Sequence, residues 1–145
     1  MSFVNSSPIV QQPTSTDLSF IAGAGGVTAG QLVYVSANGT VLPTSGIQNF
    51  VGVVKVGAAA GKICTVIRGP AKVRVTASGT INAGDKVVSA ASGKAQSLAA
   101  VTAASIETTG SIDDTKAAAA INNQSSRAAI CDTGATDGNQ AVIIV

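Results

Sequence analysis

Thirteen residues of this chain align without gaps on a second stretch of the same chain, and that duplication limits the fold more than anything else in the sequence. Val27-Thr-Ala-Gly-Gln-Leu-Val-Tyr-Val-Ser-Ala-Asn-Gly39 matches Ile81-Asn-Ala-Gly-Asp-Lys-Val-Val-Ser-Ala-Ala-Ser-Gly93 at an offset of 54 residues. Ala29/Ala83, Gly30/Gly84, Val33/Val87, Ala37/Ala91 and Gly39/Gly93 coincide. A weaker match follows at an offset of 77, where Val51–Gly57 and Gly61–Ile67 meet Ala128–Gly134 and Gly138–Ile144. The two offsets differ by 23 residues, an insertion in the second copy that falls within about 100–126. Glycine supplies positive φ or close backbone approach, so these positions persist while their neighbours drift. A repeat of this kind sets the architecture before individual elements do.

The repeating unit is built from strands. Gln31–Ser36 is rich in β-branched residues and ends at Asn38-Gly39, a strong two-residue hairpin signal. Val51–Val56 and Lys62–Arg68 are β-branched runs joined by a Gly-Ala-Ala-Ala-Gly loop. Lys72–Thr76 alternates cations with valines, which places Lys72 and Arg74 on one face and Val73 and Val75 on the other. The chain closes on the strand-like run Ala141–Val145. One stretch breaks the pattern: Asp113-Asp114-Thr115 leading into Lys116 and four alanines predicts a short helix stopped at Asn122-Asn123. Neither copy has enough large apolar side chains for its own core. The expectation is one all-β domain over 21–145, a small barrel or sandwich closed by both copies (about 27–76 and 81–145). Ahead of it, residues 1–20 read as an extended arm, where Pro8 and Pro13 oppose helix and central strand. Phe3, Val4, Ile9 and Val10 are apolar residues in that polar arm and are expected to dock on a neighbouring subunit; a frayed terminus is the other reading.

Charge is scarce and unevenly placed. Charged residues are 11% of the chain, against roughly 25% in an ordinary soluble domain, and a neutral surface of this kind suits either assembly with a partner or a free, Ser/Thr-rich β domain. From Phe50 to Lys94 the chain carries Lys55, Lys62, Arg68, Lys72, Arg74, Lys86 and Lys94 against Asp85 alone. From Glu107 onward Glu107, Asp113, Asp114, Asp132 and Asp137 face Lys116 and Arg127. That asymmetry fits complementarity between subunits or with a carrier surface, or else simply solvated strand faces.

The sequence lacks the usual constellations of catalytic and metal-binding residues. The chain has no histidine, which removes Ser-His-Asp triads, Cys-His pairs and most zinc sites. Gly57-Ala-Ala-Ala-Gly61-Lys62 lacks phosphate-loop spacing and leads into a strand. The basic middle has Phe50 at its edge and no other ring, so the stacking platform of a single-strand binder is missing. No stretch reaches the roughly 18 apolar residues of a membrane span, and the first residues are unlike a signal peptide. The expectation is therefore a protein made in a cytoplasm, not an enzyme, with no cofactor, metal, nucleic acid, membrane or small-molecule substrate, and with Cys64 and Cys131 as buried free thiols.

With these residues in view, "AG-x-x-V…G", "VGVV…AAAGK…V…RGPAKV" and "A-GD-K-V…A-SGK" over about 27–98, echoed at 128–145, resemble the phage capsid cement, or head decoration, family. The resemblance implies a virion protein on the outer capsid surface, assembled in the host cytoplasm. It would bind the major capsid protein, self-associate as a homotrimer and stabilise the shell by bridging its subunits. Phe3, Val4, Ile9 and Val10 would then anchor the arm, and Lys55, Lys62, Arg68, Lys72 and Arg74 would dock on an acidic capsid surface. A receptor- or glycan-binding β domain of a virion or cell surface is the alternative. The shortage of rings, with only Phe3, Phe20, Tyr34 and Phe50 available, speaks against it.

Overall fold

The computed structural model describes residues 9–11, 16–98, 107–108, 111–112 and 127–145. Among the described residues thirteen strands follow in chain order: β1 Ile9–Gln11, β2 Thr16–Ala22, β3 Leu32–Ala37, β4 Thr40–Pro43, β5 Gly52–Val56, β6 Ile63–Arg68, β7 Lys72–Thr76, β8 Lys86–Ser89, β9 Ala95–Ser97, β10 Glu107–Thr108, β11 Ser111–Ile112, β12 Ala129–Thr133 and β13 Gln140–Ile144. The fold is all-β. Strands β2-β4-β3-β5-β6 form a closed barrel, and β1-β7-β13-β12-β8-β9 form a six-stranded sheet. Strand β2 starts at Thr16, inside the span read from sequence as an arm. Within the 100–126 insertion the described part is the β10–β11 hairpin, and the helix expected over 113–121 lies outside the described residues.

The duplication holds strand by strand. Val53↔Ile67, Val54↔Val66 and Val56↔Thr65 join β5 to β6, with a bulge between the last two. The same register, shifted by 77, joins β12 to β13 as Ile130↔Ile144, Cys131↔Ile143 and Thr133↔Val142, with the bulge at the same place. The β3–β4 pairs Val33↔Pro43, Tyr34↔Leu42 and Val35↔Val41 recur, shifted by 54, as Val87↔Ser97, Val88↔Gln96 and Ser89↔Ala95 of β8–β9. The pairings also add a front strand to each copy. β2 pairs β6 with Asp17↔Ile67 through Ile21↔Ile63, and β7 pairs β13 with Lys72↔Ile144 through Thr76↔Gln140. So Lys72–Thr76, read from sequence as the end of copy one, holds in unit two the place that β2 holds in unit one. Closure differs in degree. The parallel β2–β4 contact has two pairs in unit one, whereas the single parallel bridge Ala77↔Ala95 stands there in unit two.

The glycines explain why both copies could keep this path. Gly57 lies against the backbone of Val27 and Thr28, and Gly134 lies in the same way against Ile81 and Asn82, where a Cβ would stand 2.6 and 2.3 Å from the facing carbonyl oxygens. Gly39 and Gly93 turn their hairpins at φ 68° and 71°, a region that L side chains rarely adopt. The cores follow the same logic. One cluster fills the closed barrel with Val33, Val41, Val54, Cys64 and Val66. A larger one joins inward residues of unit two, such as Val73, Val75, Ile81, Val87 and Ile143, to Leu32, Phe50, Val53 and Ile67 of unit one. The units therefore share a core, as expected for copies too poor in large side chains to stand alone. Polar ties run along the seam: Thr44 Oγ1 donates to Ala90 O at 2.7 Å, Gly93 N to Thr44 O at 3.0 Å, and the buried Ser89 hydroxyl donates to Gly46 O at 2.8 Å and accepts from Gln48 N at 2.9 Å.

Candidate functional site

The basic residues singled out in the sequence fall into different environments. Lys55 Nζ donates to Asp17 at 2.8 Å, and Lys72 Nζ donates to Asp132 at 3.0 Å. These two ion pairs occupy matching positions with the charges exchanged, since Asp17 corresponds to Lys72 and Lys55 to Asp132. The hydrogen bond from Lys72 holds the Asp132 carboxyl below its usual range. Lys62 is exposed on the loop before β6, Arg68 is exposed at the end of β6, and Arg74 faces outward from the middle of β7. Among the described residues Lys62, Arg68, Arg74 and Lys94 have no ion pair or hydrogen-bonded side-chain partner. The described carboxylates differ. Asp17 and Asp132 are in the ion pairs, Asp85 accepts from Asn82 N and Ser97 Oγ, and Asp137 accepts from Gly79 N. These four aspartates are thus engaged within the chain, while cations are left over.

Two concave places take in three of those cations, Arg68, Arg74 and Lys94. A polar cleft of about 270 Å³ lies between the Thr28–Gln31 turn of unit one and β7, with Arg74 and Lys94 in its lining. An open groove of about 480 Å³ is lined by Val35, Asn49, Phe50, Val51, Arg68 and Arg127. Arg127 is a residue that sequence reasoning missed. Its guanidinium lies over the Phe50 ring at 4.8 Å, its Nη1 donates to Phe50 O and Val51 O, and its backbone N donates to Asn49 Oδ1. Burial first, and the nearby Arg68 charge second, push its pKa below the usual guanidinium range. The only signal for it in the sequence is its place at an offset of 77 from Phe50, one residue ahead of the Val51 match.

Apolar side chains are also presented outward. Ile21 and Ile63 are directly paired across β2 and β6, and Ile63 is 73% exposed. Ile130 and Ile144 form the exposed pair of unit two. Of the arm residues, Phe3 and Val4 lie outside the described residues, while the backbone of Ile9–Gln11 pairs with β7 of its own chain through Ile9↔Val73 and Gln11↔Lys72. Cys64 and Cys131 are buried free thiols, each pushed up in pKa chiefly by burial. Among the described residues no three His, Cys, Asp or Glu side chains converge as a metal centre would require.

Neither the known protein families nor the curated proteins give a match to this chain. Solved structures do. The head fiber gp8.5 N base in bacteriophage phi29 is similar with a TM-score of 0.62 at 14% sequence identity, over 91% of this chain and 94% of that one. The likeness is one of fold, and it takes in both units rather than one.

Proposed function

We propose that this chain is a structural, non-enzymatic protein of a bacteriophage head: a decoration protein that sits on the outer surface of the shell, contacts the major capsid protein and bridges its subunits. The observation that carries this reading is the fold shared over nearly the whole of both chains with a phage head fiber base. The excess of unpaired cations on the described surface supports it, because such a surface suits an acidic partner. In this reading the chain acts as a homotrimer in the virion, assembles in the host cytoplasm, and needs no cofactor, nucleic acid, membrane or small-molecule substrate. Lys62, Arg68 and Arg74 do the docking, and the arm residues Phe3, Val4, Ile9 and Val10 anchor on a neighbour. Lys55 and Lys72 contribute less, since each already holds a carboxylate of its own chain. The work done is thermodynamic: contacts made only to the assembled shell stabilise that state alone, and several seats per oligomer multiply the effect.

The test is sedimentation of the purified chain with shells that lack it. Saturable occupancy at a fixed ratio to capsid subunits, with a rise in shell melting temperature, is the expected result. Shells that pellet without the chain at saturating concentration overturn the reading. The neighbour's name favours a second reading with the same address, the base that carries a longer head appendage. Images of decorated particles separate the two by the presence or absence of density projecting above each seat.

A further inference from the structure

Positions 35 and 89 correspond in the two units, yet they are filled against expectation: Val35 is 49% exposed and Ser89 is fully buried. Ser89 lies beneath the Ser45–Gln48 loop and exchanges hydrogen bonds with it. Val35 instead opens into the groove that holds Arg68 and Arg127. Phe50 and the carbonyls of Phe50 and Val51 fix Arg127 in place, and two of its five N–H donors are used there. Arg68 brings a second guanidinium within electrostatic range and has no carboxylate partner among the described side chains. Two like charges lining one groove repel, and an anion seated between them turns that repulsion into two attractions.

We propose that this groove seats a carboxylate side chain, with an aliphatic residue beside it, from a partner protein. Paired guanidiniums match the planar carboxylate through charge-assisted, fork-like hydrogen bonds. Val35 and Val51 form the apolar wall against which the aliphatic neighbour packs, a feature that a phosphodiester backbone would not use. The shell-binding reading enters only in naming that partner, as an acidic, aliphatic-flanked segment of the shell protein.

The experiment is an NMR titration of the full isotope-labelled chain with acetyl-Leu-Glu-Leu-amide. Saturable shifts are expected at the Val35 and Val51 methyls and the Arg127 side chain. Arg68→Glu and Val35→Asp should each weaken binding roughly tenfold or more, Arg68→Lys less, and the Glu→Gln peptide should lose a similar factor. Both altered residues are exposed, and unchanged resonances around Ser89 and Cys131 certify the fold. Absence of saturable shifts, or equal binding of the Gln peptide, overturns the proposal. So does inorganic phosphate that shifts the same resonances at lower concentration, or contacts from Val35 to residues 99–126 in the peptide-free chain. A groove that ignores the peptide while the chain still sediments with shells removes this inference alone. A groove that binds the peptide in a chain that does not sediment removes the decoration reading alone.

Discussion

Gly57 and Gly134 stand 77 residues apart and meet the same obstacle, a carbonyl oxygen too close for any Cβ. Gly134→Ala forces backbone apart at the Ile81↔Ala135 bridge and should cost about 1–3 kcal/mol in chemical denaturation. Gly46→Ala meets nothing within 4 Å and should leave stability unchanged or raise it by up to about 1 kcal/mol. Equal losses at both positions would show that close approach is not what keeps Gly134. These glycines are legible in the sequence because each has a counterpart at a fixed offset. Arg127 is not, because its role depends on the Phe50 ring, two carbonyls and Arg68, which only the packed fold brings together. The exchanged ion pairs are hidden for a related reason: Asp17 and Lys72 are related by an offset of 55, which the aligned segments of the sequence do not reveal.

At the scale of elements, hairpins and strands follow from β-branched runs and glycine turns, and β3, β5, β6, β7 and β13 lie close to where those runs predict them. β2 is harder to see, since Thr16–Ala22 follows a proline-rich stretch and takes its strand character from pairing with β6 along its length. The seam between units is invisible to local pattern as well. Nothing in a Ser at the end of β8 announces that it holds a loop more than forty residues away. Ser89→Ala should cost about 1–3 kcal/mol, because Gln48 N loses its acceptor in a partly buried place. Ser36→Ala, at an exposed position near the end of β3, is the control and should cost no more than about 0.5 kcal/mol. Comparable losses in the two variants would remove the seam role assigned to Ser89.

The whole molecule joins two barrel-like units through one core, and each unit carries its own buried thiol. Cys64 lies in the cluster inside the closed barrel, and Cys131 lies in the cluster that joins the units. Raised pKa values and burial should keep both thiols unreactive toward alkylating agents in the native chain. Under mild denaturant the two should become labelled at one common rate, since opening either unit strips the shared core. Labelling of Cys131 well ahead of Cys64 would instead mark unit two, whose closure rests on one parallel bridge, as opening by itself. The exchanged ion pairs carry a consequence of another kind. The strand registers of the two units correspond, but their ion pairs run in opposite sense where Lys55 meets Asp17 and Lys72 meets Asp132. A lattice of identical seats that judged shape alone could take the chain by either end. Under the proposed shell-binding role, seats that sense charge would accept one end and repel the other, which would give the molecule a single heading.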